Sequence, residues 1–470
     1  MFDTICQLIP HDPDYPNRTW VLDTLTRVMN GHLYDILPYD FHDERSSAGD
    51  YIPLRKRRPS VRYPLCRVVV EDSVSLLFSE GHFPTIDCPD RVMQGSLATI
   101  IRGSGVNLVM TEAATRGSVG SVAILMRVLN GRIFFQVMDS MYLTPTWNPK
   151  EPDTLLGITE RYKVSGGQLS SNGYTVSDPN ADYWFQRSWD NDSETWFVPC
   201  LIGEGYPLIM DVVRTVCHGL GFVPIVWIRN LPGYSSTGDS NDGACTFRAA
   251  IETQIEIDYQ LSQAGRGLKY SSDPTLLLKE PIGSDTDIIK GAGNALIVGE
   301  KGDARLLEIG GTAAAAVVDY VRTLRELALE SIHGNRSSPE RFTTAQSGRA
   351  LELMNQGLLW LADNLRITYG EVALLSLARM IVRASSRYTL RAPQGDLPPM
   401  DATCALSLKW PRWYPMSAAD RQLDATTLST LMTSGLISRA SAMRAIADTY
   451  DIDNVTTELE QCAAEQDEGS

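Results

Sequence analysis

Apolar side chains recur at spacings of three and four over an unusually long stretch, Gly311 to Tyr388. The pattern predicts a helix, a short polar loop and a much longer helix. The first helix, about Ala313 to Ile332, places Val317, Val321, Leu324, Leu327 and Ala328 on one face. Asp319, Arg322, Arg325, Glu326 and Glu330 occupy the other. The connection from His333 to Phe342 contains a glycine stop, Gly334, and a proline, Pro339, and has no apolar period. A second period then runs through Leu351, Met354, Leu358, Leu361, Leu365, Val372, Leu375 and Val382. A globular enzyme seldom needs a helix of that length, whereas an assembly of repeated copies often does.

Upstream, the pattern predicts helices near Trp20 to Met29, over Tyr63 to Glu80 and over Arg91 to Ile101. The second of these is apolar on nearly every side and reads as a core element. Val122–Leu129 and Arg132–Met138 flank Asn130-Gly131, the pair that supplies two positive-φ positions to a type I′ hairpin. Short strands follow at Leu155–Val164, Tyr183–Trp189 and Thr195–Leu201, giving an antiparallel sheet packed on the preceding helices. A buried strand entered through glycines, His218 to Asn230, leads to a Gly/Ser/Asp connector, Leu231 to Gly243. Ser240, Asn241 or Asp242 can cap the next helix, which runs to about Gln263. Ala264 to Gly310 breaks into short apolar runs and reads as a small αβ module between two helices. After Tyr388 come a strand-like run, Cys404–Trp410, and two short helices, Ala419–Thr433 and Ala440–Asp448. Gly435 stops the first and Ser438 caps the second. The acidic tail, Glu458 to Ser470, is expected to fray. The fold class is α+β, with several domains.

The net charge of -15 argues against a protein that grips nucleic acid by neutralising phosphates, though not against one that lets a polyanion slide past. No apolar run reaches the roughly twenty residues of a membrane span. The start lacks the basic and apolar regions of a signal peptide, and eight scattered cysteines without a Cys-x-x-Cys pair fit reduced thiols. Arg55, Lys56, Arg57 and Arg58, with Arg62 and Arg67 behind them, are either a contact for a polyanion or, as charge runs usually are, a solvated segment.

The search for chemistry is mostly negative. No phosphate-cradling Gly-x-x-x-x-Gly-Lys-Ser/Thr is present. Gly291-Ala292-Gly293 opens like a dinucleotide fingerprint, but Leu296 stands where its third glycine belongs. Asp190, Asp192 and Glu194 alternate like a calcium loop, yet Thr195 and Leu201 occupy the positions of its glycine and closing carboxylate, so a solvated turn is expected. The six histidines show no ligand spacing, and His218 reads as a packed or capping residue. No catalytic residue, metal ligand or cofactor is identified.

Four stretches together resemble the portal proteins of tailed bacteriophages. Tyr63 to Glu80 looks like the early wing helix. Gly219 to Val226, with the connector after it, looks like the lead-in to the first stem helix. Ser347-Gly348-Arg349-Ala350-Leu351 is similar to the family's Ser-Gly-x-Ala-Leu opening the long helix, and Gly435-Leu436-Ile437-Ser438 resembles the crown. The resemblance implies a wing over residues 1–238, a first stem helix over 239–263 and a clip over 264–310. A second stem helix (311–333), a tunnel loop (334–345), a long helix returning to the wing (346–416) and a crown with acidic tail (417–470) would follow. It also implies a virion protein, assembled in the host cytoplasm, whose self-assembled dodecameric ring at one capsid vertex passes double-stranded DNA. Its expected partners are the terminase large subunit, a head–tail adaptor, and the major capsid and scaffolding proteins. The loop residues facing DNA would be Asn335, Arg336, Ser337, Ser338, Pro339, Glu340, Arg341 and Phe342, followed by the motif residues Ser347, Gly348, Ala350 and Leu351. The competing readings are a cytosolic α+β enzyme of unrecognised type and another coiled-coil capsid adaptor or scaffold.

Overall fold

The computed structural model describes residues 1–203, 208–272, 275–281, 298–307, 312–334, 352–392, 395–414, 418–447, 450, 452 and 455–468. Two compact units emerge, one of Met1–Arg336 with Gly357–Pro411, the other of Ser337–Gln356 with Arg412–Ser470.

In the larger unit, α1 (Asn17–Met29) and α2 (Leu65–Phe78) precede β1 (Thr85–Asp87), α3 (Arg91–Gly103) and α4 (Val106–Gly117). Helix α2 is core as its composition demands: Leu65, Val69, Val70, Leu77 and Phe78 are all buried. Helix α4 is absent from the sequence expectations. Gly105, left-handed at φ 62°, breaks the chain before it, and its buried Met110, Ala113 and Ala114 give only a short apolar period.

The hairpin forms as expected, β2 (Ser121–Leu129) pairing with β3 (Arg132–Asp139) from Leu129↔Arg132 onward, with Asn130 and Gly131 at φ 52° and 77°. A second sheet contains β4 (Leu143–Trp147), β5 (Leu155–Ser165), β6 (Asp182–Trp189), β7 (Ser193–Trp196), β8 (Cys200–Leu201) and β9 (Val216–Cys217). The expected strand Thr195–Leu201 is divided there, since Pro199 has no amide to donate to a ladder. Then β10 (Ile225–Arg229) pairs antiparallel with β2, completing a three-stranded sheet with β2 at its centre. The central strand is buried on both faces. Met126 packs into a cluster with Leu97, Ile100, Ile381 and Val382, and Leu125 into another with Ile158, Trp189 and Trp227.

Helix α5 (Ile251–Ser272) leads through the antiparallel strands β11 (Thr275–Pro281) and β12 (Val298–Leu307) to α6 (Thr312–Ser331), which packs beside it. The predicted cap is corrected: α5 begins past the connector because Asp242 is committed elsewhere. It is fully buried and receives Arg18 in a bidentate pair, Nε to Oδ2 at 2.7 Å and Nη2 to Oδ1 at 2.8 Å. Arg57 is a second correction. It leaves the predicted solvated run, buries its guanidinium and donates to the carbonyls of Ile52 and Phe41.

The expected long helix appears as α7 (Gln356–Leu365) and α8 (Leu375–Ser385), joined through a widened π segment, Arg366–Leu374. Two two-residue strands, β13 (Arg391–Ala392) and β14 (Gly395–Asp396), precede β15 (Ser407–Lys409), which closes back onto β1.

The smaller unit contains α9 (Ala418–Thr433), α10 (Arg439–Ala447) and α11 (Val455–Glu468). Gly435 takes φ 74° as the stop of α9, and Ser438 Oγ accepts the Ser441 amide at 3.1 Å as the cap of α10. The acidic tail does not fray as expected: it is helical to Glu468, with α11 packed on α10.

Candidate functional site

The loop residues Asn335, Arg336, Ser337, Ser338, Pro339, Glu340, Arg341 and Phe342 lie outside the described residues, as do Ser347, Gly348, Ala350 and Leu351. What the structure describes is the frame on either side.

On the incoming side, α6 ends in a Schellman motif. The amide of Gly334 donates to Leu329 O at 2.8 Å, that of His333 to Glu330 O at 3.3 Å, and His333 adopts the left-handed conformation at φ 55°. The glycine is therefore not the left-handed residue. It is required because a Cβ on Gly334 would lie 2.7 Å from Val69 Cγ2. The helix end thus rests directly on α2.

Helix α5, which packs beside α6, is fixed near its start by buried polar contacts. Asp258 on α5 accepts from Tyr34 Oη at 2.7 Å and from the Tyr63 amide at 2.6 Å. One turn earlier, Gln254 Oε1 accepts the Cys66 amide at 2.9 Å in the first turn of α2. One turn later, Ser262 Oγ accepts the Val61 amide at 3.0 Å. Burial pushes the Asp258 carboxyl up to about 7, against the pull of its two donors and of Arg62.

On the outgoing side, the π segment is organised by two close approaches. Trp410 lies against Gly370 where any side chain would overlap it, and Arg366 stacks 4.6 Å from the centre of the same indole. Burial holds Arg366 down to about 10. Tyr369, wholly buried, approaches Gly117 as closely and donates its hydroxyl to Asn230 Oδ1 at 3.0 Å. Asn230 Nδ2 in turn donates to Ala244 O at 2.8 Å, Thr246 Oγ1 at 2.9 Å and Ser118 O at 3.3 Å. One amide side chain therefore joins the long helix, the end of β10, the connector to α5 and the end of α4. All its side-chain hydrogen-bonding groups are engaged.

Sequence reasoning missed Asn230, Asp258, Tyr369 and Arg18. Each is a polar residue at a position where an apolar one would fit the local period equally well. Asn230 follows the apolar run Phe222–Ile228, whereas Arg18 and Asp258 stand among other polar residues, so nothing local marks them. The acidic alternation is a turn, as expected: Asp190 Oδ1 accepts the amides of Asp192 and Ser193 at 2.8 and 2.7 Å. Glu194 is instead buried and pairs with Arg127 at 2.8 Å. His218 serves as a local acceptor, taking the Leu220 amide on Nδ1 at 3.3 Å. Among the described residues, no cluster of side chains has metal-binding geometry and no helix is long and apolar enough to cross a membrane.

Comparison with known proteins bears on all of this frame at once. No curated protein matches the chain. Among solved structures, a chain from the virion of a native gene transfer agent particle aligns over 80% of this chain and 86% of that one. The identity is 11% and the TM-score 0.40. The family model described as phage portal protein, SPP1 Gp6-like, matches residues 12–470, nearly the whole sequence. The chain belongs to that family of phage portal proteins.

Proposed function

We propose that copies of this chain form a dodecameric ring at one capsid vertex, through which double-stranded DNA is packaged and later ejected. The observation that carries the reading is the family match over residues 12–470, which spans both helices and the loop between them. In this reading α5 and α6 are the stem, and the β11–β12 region between them is the clip that meets the terminase large subunit and then the head–tail adaptor. The loop 334–345 faces DNA, and α9 and α10 belong to the crown. Capsid and scaffolding proteins surround the ring. The family is structural, so the energy for packaging comes from a separate motor protein.

Physical chemistry supports a conduit with weak contacts. Every neutralised phosphate adds binding that translocation must then break. A chain of net charge -15, repeated around a ring, repels the duplex from the wall. Arg336 and Arg341 supply the few exchangeable cations in the loop.

Electron microscopy of the purified protein tests the assembly: rings with a central hole are expected, and monodisperse monomers without holes refute it. Neutralising Arg336 and Arg341 together tests the loop. Ring formation should persist while DNA packaging or retention falls; unchanged packaging and retention would remove the loop from the DNA path.

A further inference from the structure

Strands β1 and β15 meet although more than three hundred residues separate them, and their register sets two cysteines on one face. Ile86 stands opposite Leu408, and Asp87 opposite Ser407. One step further, the same ladder brings Cys88 level with Leu406, with Cys404 two residues beyond on the same side. The burial pattern agrees. Ile86 and Cys88 are buried while Thr85 and Asp87 are exposed, and Cys404, Leu406 and Leu408 are each half-buried between exposed neighbours. All five belong to one apolar cluster with Met93, Ile381 and Met400.

Within that cluster the two thiols meet. Cys88 Sγ donates to the Asp90 carbonyl at 3.0 Å and has the Cys404 thiol as its other hydrogen-bonding neighbour. Burial pushes the Cys88 thiol up, and the neighbouring Cys404 sulfur adds to it, so Cys88 holds its proton. Cys404 opens to solvent at the end of a turn. Its amide donates to Asp401 O at 3.2 Å, and Asp401, Ala402 and Thr403 are exposed. The side that must adjust for a bond is therefore the loosely packed one. Cys66 and Cys245 also lie close enough for their charges to interact, but both are buried, out of reach of an oxidant in solution.

All eight cysteines are free thiols in this structure. We propose that Cys88 and Cys404 form a redox site, closed to a disulfide by exchange with a small-molecule disulfide of the glutathione class. The Cys404 thiolate attacks one sulfur of the oxidant, forming a mixed disulfide and releasing one small thiol. Cys88 then loses its proton to solvent and attacks the Cys404 sulfur, and the second small thiol leaves. The protein thiols give up two electrons and two protons, and one small disulfide becomes two thiols. The bond ties β15 to β1. Strand β15 runs into Trp410, which with Leu408 packs on Gly370, so the staple fixes the strand that shapes the π segment of the long helix. It also closes a very long loop, for which the lost freedom of the unfolded chain is greatest. The site lies within one copy and is the same in a monomer or a ring.

Equilibrating the purified full chain in glutathione buffers of graded ratio tests the proposal, with linkages mapped by mass spectrometry of non-reduced digests. Exposed Cys217 is replaced throughout (Cys217→Ser) to suppress links between copies. A peptide joining Cys88 to Cys404 is expected in the oxidised sample and should vanish on reduction. Oxidation should raise the melting midpoint by roughly 3 °C or more. Hydrogen exchange should slow in 366–374 and 407–409. Cys88→Ser and Cys404→Ser should each lose the shift; the second, at the half-exposed position, keeps the comparison readable if serine at buried position 88 unfolds the chain. Oxidation that leaves both thiols free, stops at a glutathione adduct on Cys404, or links either residue to another cysteine overturns the proposal. So does a midpoint shift that persists in Cys404→Ser.

Discussion

Replacing Asp258 with asparagine isolates the electrostatics of this site on α5, because it removes one titrating group, keeps an acceptor oxygen for the Tyr63 amide and offers Tyr34 Oη an N–H to accept, as the protonated acid offers it an O–H. The carboxyl is raised from 3.8 to about 7 by burial. Between those values the folded chain holds a proton that the unfolded chain has released. Stability therefore falls as pH rises from about 4 towards about 7, and levels off above it. At about 1.36 kcal/mol per pKa unit, the stability lost by about pH 8 is on the order of 4 kcal/mol. Near pH 4.5 the protonated acid and the amide differ little. The Asp258→Asn variant should thus match wild type at about pH 4.5 and exceed it at about pH 8. Urea unfolding followed by tryptophan fluorescence across this pH series measures the difference as a shift in midpoint. Other acids move both curves together and cancel. Parallel curves over the whole range, or a variant weaker than wild type at about pH 8, would show that Asp258 stays ionised in the fold.

Further substitutions address the frame of the loop and the buried ion pair. Tyr369→Phe removes the donor to Asn230 Oδ1 and leaves a buried acceptor unpaired, which should cost about 1–3 kcal/mol in urea midpoint analysis. Gly117→Ala, which forces a methyl into the Tyr369 hydroxyl, should cost at least as much. Gly334→Ala pushes against Val69 and should cost about 1–3 kcal/mol, part of which Val69→Ala in the same chain returns; purely additive losses would show that the two do not touch. Arg18→Met strands the buried Asp242 carboxylate and should cost about 3–5 kcal/mol, while combining it with Asp242→Leu should recover much of the loss.

The elements that were legible in the sequence are those whose signal is local. The β2–β3 hairpin was readable because Asn130-Gly131 dictates its own turn, and α10 because Ser438 caps it within three residues. Helices α5 and α6 and the long helix were readable from apolar period alone. What escaped was set by distant partners. Asp242 has the right chemistry for a helix cap, but Arg18, more than two hundred residues away, holds it. Arg57 sits in a charge run that reads as solvated, yet the carbonyls of Ile52 and Phe41 make a buried place for it. The π segment leaves no mark on the period of Leu365, Val372 and Leu375. Its cause is Trp410 against Gly370, a contact that no window on the helix contains.

Those distant contacts also bear on how the helices before and after residues 335–351 are held. The incoming helix end rests on α2 through Gly334 and Val69, and α5 is tied to the same helix through Gln254 and Cys66. The outgoing helix is tied through Tyr369 and Asn230 to the connector that starts α5. These nodes are polar or closely packed, so they fix register more sharply than an apolar face, which tolerates sliding. Buried charge is met locally, Arg18 by Asp242 and Arg57 by carbonyls, so the excess of carboxylates belongs to the surface. In the proposed ring, those surface carboxylates, repeated from copy to copy, give a wall that repels the duplex. Weak contact with DNA then falls to the loop cations Arg336 and Arg341.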